Sequence, residues 1–200
     1  MPRGLCVLIA LYACGPRPKP QPNLPIYKPS YRCTATPAYA QGCAAAVAGP
    51  NVALGVLEGT TFTPLDESAT NTLPLHPGPQ GGYHAYLDVR TDNVCASWVM
   101  TTVRLREPGA ASVLRLQQYE MGLLDRTGGG QQTGQLVFFV CPSQISGTAL
   151  DGAALELEAA VVDCTGASEP LWTKTFTVVP TCPAGDTACT DDGRAGCAAP

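Results

Sequence analysis

Twice in quick succession the chain alternates apolar and polar side chains with a period of two. In Tyr83–Arg90, Tyr83, Ala85, Leu87 and Val89 fall on one side, and His84, Tyr86, Asp88 and Arg90 on the other. In Val99–Arg106, Val99, Thr101, Val103 and Leu105 face one way, and Arg104 and Arg106 the other. Only an extended strand sends successive side chains to opposite faces. One apolar and one polar face is what an antiparallel sheet half-covered by a second sheet requires. Val52–Leu57, Val113–Tyr119, Gln135–Cys141, Ala153–Cys164 and Leu171–Val179 also have strand character. Ala153–Val162 has helical propensity, yet the apolar–acid alternation at 155–158 favours a strand. With 21 glycines and 19 prolines, turns separate these runs and long helices are disfavoured. Seven strands predict an all-β domain over residues 50–182, an immunoglobulin-like antiparallel sandwich.

Ten cysteines in 200 residues constrain the compartment as strongly as the alternation constrains the fold. Disulfides persist only where the surroundings are oxidising. No Cys-x-x-Cys pair occurs and there are two histidines in all, so a zinc framework is disfavoured. If consecutive strands run antiparallel, Cys95 and Cys164 fall at one end of the sandwich and Cys141 and Cys182 at the other. A bridge needs its Cα atoms within about 7 Å, which forbids end-to-end pairs. The expected bridges are Cys95–Cys164 and Cys141–Cys182, with Cys33–Cys43 and Cys189–Cys197 as local loops.

The N-terminus reads as an export signal. Met1-Pro2-Arg3-Gly4 is a short basic region, and the apolar run from Leu5 to Ala13 is too short to span a bilayer, which takes about 20 residues. The run ends Leu11-Tyr12-Ala13-Cys14-Gly15, which resembles the bacterial lipobox, with Tyr12 departing from its usual small or aliphatic residue. That resemblance implies a signal peptide over 1–13 and a lipidated Cys14. An ordinary signal peptide with a spare thiol is the alternative. Prolines at 16, 18, 20, 22, 25 and 29 make the following stretch an extended spacer, so 14–49 reads as a tether with a small cysteine loop. Removing Cys6 and Cys14 leaves an even number of cysteines, eight. Gly15 after the cysteine favours the outer membrane. The tail, 183–200, reads as solvated and disulfide-pinned.

Charge narrows the partners. Residues 14–50 carry four basic and no acidic side chains, and residues 51–180 thirteen acidic against six basic. A basic tether on an acidic domain argues against nucleic acid and fits a stalk near an anionic surface.

Candidate chemistry is sparse. There is no Gly-x-Ser-x-Gly, and no motif places a serine near His76 or His84, so an enzyme is not expected. No cofactor is implied. His76 and His84 bracket Pro77–Tyr83, and a turn at Gln80–Gly82 would bring the two rings together as a copper or zinc pair. Two ligands make an incomplete site, and two solvent-facing histidines beside a turn is the preferred reading. Gly128-Gly129-Gly130 lacks the Lys-Ser/Thr of a phosphate loop and reads as a flexible connection. The tail's Asp186–Gly193 lacks the spacing and terminal Glu of a calcium loop. Trp98, Tyr86 and Trp172 fall on the polar sides of their strands and are candidates for a binding face; with the inward assignment reversed they would be core.

Gly78-Pro79-Gln80-Gly81-Gly82-Tyr83-His84, followed by Leu87-Asp88-Val89-Arg90, resembles a group of deltaproteobacterial, myxobacterial-type lipoproteins. These share a lipobox, a Gln-Gly-Gly-x-His lead-in to a strand and an immunoglobulin-like sandwich. Val161-Val162-Asp163-Cys164-Thr165-Gly166 fits the same pattern, and the resemblance covers about residues 50–180. It implies a fold and a cell-envelope location, and no activity or catalytic residue. The expectation is a lipid-anchored envelope protein that binds a protein or glycan. The alternative is an envelope protein that binds copper or zinc through His76 and His84.

Overall fold

The computed structural model describes residues 50–194 except 80, 95, 97, 142–147 and 165–169. In chain order the strands are β1 (Asn51–Glu58), β2 (Thr61–Pro64), β3 (Thr70–Pro74), β4 (His76–Pro77), β5 (Tyr83–Asp92) and β6 (Trp98–Arg106). Then come β7 (Val113–Gly122), β8 (Leu124–Asp125), β9 (Gln131–Gln132), β10 (Leu136–Cys141), β11 (Leu155–Asp163) and β12 (Trp172–Thr181), and one helix, α1 (Thr187–Arg194), follows. Every run with strand character in the sequence is a strand, including the helix-prone stretch that became β11. There Leu155, Leu157, Ala159 and Val161 are buried. Glu156 and Glu158 lie on the opposite face and pair with Arg106 and Arg104. Burying four apolar side chains on one face outweighs a modest helix propensity.

Two sheets form an immunoglobulin-like sandwich. In the first, β5 is central: β1 and β4 line one edge, β10 and β9 the other, with β2 beyond β1 and β8 beyond β9. The second runs β3-β12-β11-β6-β7. One core lies between them, with Leu54, Leu87 and Phe138 from the first sheet meeting Val103, Leu157 and Val178 from the second. Each such side chain, fully withdrawn from water, contributes about 1.5–3 kcal/mol.

Four expectations are corrected. The short strands β2, β3, β4, β8 and β9 were not foreseen, and β3 runs parallel to β12, so the second sheet is mixed. Short elements carry too few residues for a periodicity to register. The three glycines at 128–130 are not a loose connection. They turn the β8–β9 hairpin with φ of 94°, 103° and 71°, while Arg126 bonds Asp92 at 2.9 Å beside Gly130.

The tail as described, to residue 194, is pinned by a disulfide and docked at Cys189 and Gly193, while most of its other residues are exposed or half-buried. Asp186 caps α1, its Oδ1 accepting the Cys189 N–H at 2.9 Å. The Gly193 carbonyl accepts the amides of Leu150 and Asp151, and Cys189 is fully buried. This docking also corrects the disulfides. Cys182 is bonded to Cys189, with 5.6 Å between Cα atoms, so neither Cys141–Cys182 nor Cys189–Cys197 forms. The turn after Cys182 and the first turn of α1 carry Cys189 back over it, a closer partner than any strand end. Cys141 and Cys164 are disulfide-bonded too. The pairs Cys95–Cys164 and Cys33–Cys43, and the anchor Cys14, involve residues outside those described.

Candidate functional site

The two sheets show different outer faces. The second sheet exposes Thr173, Thr175 and Thr177 and the ion pairs Arg106–Glu156 (2.7 Å) and Arg104–Glu158 (3.5 Å). This is an ordinary solvated surface. The first sheet carries rings instead. Its outer face holds His76 on β4, His84 and Tyr86 on β5, and Val137 and Phe139 on β10, with Leu57 and Phe62 from the β1–β2 hairpin alongside.

The loop between β4 and β5 builds this arrangement. The Gly78 amide bonds the Gly82 carbonyl at 2.9 Å, and the Gly81 amide bonds the Gly78 carbonyl at 3.1 Å. Gly81 and Gly82 have φ of 83° and 75°, a backbone that side chains disfavour. The reversal sets His76 directly opposite His84, and β10 sets Phe139 opposite His84 on the other side. The His84 ring therefore sits in an aromatic cage. Ring centres lie 4.7 Å from Tyr86, edge to face, 5.7 Å from Phe139 and 6.3 Å from His76. His76 in turn stacks 4.9 Å from Tyr86. The sequence reading of two solvent-facing histidines is thus corrected at His84, which is only 4% exposed. Its Nδ1 is buried and finds no hydrogen-bond partner among the described residues. Burial, and then the neighbouring His76, pull its pKa below the usual histidine value. His84 is therefore held as neutral imidazole.

A second buried group lies two residue pairs along β5. Asp88 is 1% exposed and bonds the Arg90 Nε at 3.3 Å and the Thr133 hydroxyl at 3.2 Å. Burial raises its pKa, with the bonds from Arg90, Thr133 and the Gly134 amide opposing. Arg90 completes the set by lying 4.0 Å over the Phe62 ring. Every partner of Asp88 belongs to the β9–β10 connection or to β5 itself, so this carboxylate ties the connection down.

The three aromatics proposed from sequence do not share a face. Trp98 is on the outer face of the second sheet, 37% exposed. Trp172 lies on the inward side of β12, half-buried, its ring centre 6.1 Å from Phe176. Tyr86 alone belongs to the aromatic face. Phe139, also 37% exposed, and Phe62 are the members that sequence reasoning missed. Only the strand order puts them beside Tyr86.

Among the described residues no three His, Cys, Asp or Glu side chains gather closely enough to hold a metal ion, and no helix is long and apolar enough to cross a membrane. Asp186, in the stretch weighed against a calcium loop, serves as a helix cap and accepts the Tyr83 hydroxyl at 3.2 Å.

No protein-family model matches the chain, and no curated protein matches it. Among solved structures it is similar to the N-terminal domain of PorA, at 14% identity over 65% of this chain and 97% of that one, with a TM-score of 0.27. So low a superposition score carries no argument about this chain.

Proposed function

We propose that the chain is a lipid-anchored protein of the bacterial outer membrane, fixed through Cys14, whose sandwich is a non-enzymatic module for binding a protein or glycan. The lipobox-like Leu11-Tyr12-Ala13-Cys14 and the proline-rich spacer support the anchor. The observation that carries the binding reading is the clustering of rings on the first sheet, where His76, His84, Tyr86 and Phe139 contact one another, whereas Trp98 on the second sheet stands among threonines and ion pairs. A ring cluster that ends in an exposed Phe139 marks a surface that gains from being covered. Tyr86 and Phe139 are the residues that would meet the ligand, and Trp98 is not.

The anchor is tested by expressing the full chain in a Gram-negative host and weighing the mature product. A product that begins at Cys14, carries lipid and partitions with membranes supports the anchor; an unlipidated product that starts elsewhere removes it. The binding face is tested by co-sedimentation of the purified full chain with insoluble cell-wall glycan, and by titration against a candidate envelope partner protein. Phe139→Ser with Tyr86→Ser should abolish retention and Trp98→Ser should leave it unchanged. Equal loss from both, or binding untouched by the first pair, overturns the face assignment.

A further inference from the structure

We propose that His76 and His84 form a copper(II)-binding pair, with one imidazole nitrogen from each residue as ligand. This proposal is independent of what covers the aromatic face. The two histidines are cross-strand partners in direct register, and two backbone hydrogen bonds, Gly78 to Gly82 and Gly81 to Gly78, close the connection between them. Their ring centres are 6.3 Å apart. Metal–nitrogen bonds of ~2.0 Å place two rings on opposite sides of one ion at about this separation, whereas a tetrahedral ion draws ring centres to roughly 5 Å. The spacing suits a trans pair of in-plane positions, which copper(II) offers and a tetrahedral ion does not, and copper(II) also heads the affinity order for imidazole sites.

Three further observations point the same way. His84 is buried at 4% exposure, so packing fixes its ring on the face it shares with His76. Its Nδ1 is buried without a partner, a polar atom whose desolvation nothing among the described residues offsets. Tyr86 packs against both rings, at 4.9 Å from His76 and 4.7 Å from His84, and so holds both side chains in place before any ion arrives. Since no third protein ligand stands nearby among the described residues, water completes the coordination and the site keeps open positions.

The test is titration of the purified, oxidised full chain with copper(II) alone, read by electron paramagnetic resonance and by thermal unfolding. One ion per chain with two nitrogen ligands, and a melting temperature that rises with free copper, is the expected result. Removing even an outer-shell partner of a metal site costs ~10–100-fold in affinity, so His76→Ala should weaken binding by at least that much. His76 is half-exposed, so this variant should keep its fold, checked by circular dichroism. His84→Ala should have the same effect, while Trp98→Ser, on the outer face of the other sheet, should leave copper binding intact. Copper bound equally well by His76→Ala, a signal with a single nitrogen ligand, or tighter binding of zinc than of copper would overturn the proposal.

Discussion

At the scale of single residues, His84 is where burial and polarity conflict. Its strand alternates so that residues 83, 85, 87 and 89 enter the core, yet His84 and Asp88 on the opposite face are buried as well. The covering groups come from β4, the glycine turn and β10. A histidine whose folded pKa lies below its unfolded value binds fewer protons when folded than when unfolded. The unfolded chain therefore gains protons first as the pH falls, and stability declines from about pH 6.5 downward toward the folded pKa. Urea unfolding midpoints should drop between pH 7.5 and 5.5, and His84→Phe, which fills the aromatic cage without a titratable group, should flatten that drop. A midpoint in the wild type that stays level across this range would count against a buried neutral His84.

At the scale of elements, α1 and the strand before it depend on each other. The helix is eight residues long and too short to persist alone in water. It is held by the Asp186 cap, by the amides of Leu150 and Asp151 on the Gly193 carbonyl, and by the Cys182–Cys189 bond to the end of β12. The Asp151 Oδ1 also accepts the Cys182 N–H at 3.0 Å. Closing so short a loop contributes ~2–3 kcal/mol. Replacing Cys182 and Cys189 together by Ser should cost about that much in chemical denaturation. It should also speed hydrogen exchange at the Leu150 amide while sparing the amides of β11. Exchange that accelerates equally in β11 would mean the bond supports the whole sandwich rather than the helix. The sequence showed the cysteines but not this partnership. Ranking pairs by strand ends ignored a turn and helix that bring two nearby cysteines together.

At the scale of the whole molecule, the two sheets are joined along one side by a seam of β7 on β10. The Tyr119 hydroxyl donates to the Val137 carbonyl at 2.7 Å, and the Gln117 side-chain oxygen accepts the Phe139 amide at 2.6 Å. Side chains of one sheet thus satisfy the open backbone edge of the other, which blunts an edge that could otherwise pair with another chain. Burial drives the Tyr119 phenol well above its ordinary pKa, so it remains a donor throughout the working range. Tyr119→Phe should cost ~1 kcal/mol in thermal or chemical unfolding. It should also raise concentration-dependent association in analytical ultracentrifugation, because the Val137 carbonyl is freed. Unchanged stability with unchanged association would show the seam to be closed by apolar contact alone.

The alternation in 83–90, 99–106 and 155–158 marked which residues share a face, because period two belongs to extended chain and the free energy of burying an apolar stripe exceeds that of local propensity. The same local pattern made the sandwich legible. The rest depended on neighbours far apart in the chain. Strand order decided that Phe139 and Tyr86 flank His84, and that Trp98, Tyr86 and Trp172 do not share a face. Cross-sheet contact decided that Tyr119 and Gln117 close an edge, and helix docking decided which cysteines meet. A sequence records each strand's two faces; which faces meet is set by packing between strands, and only tertiary structure holds that information.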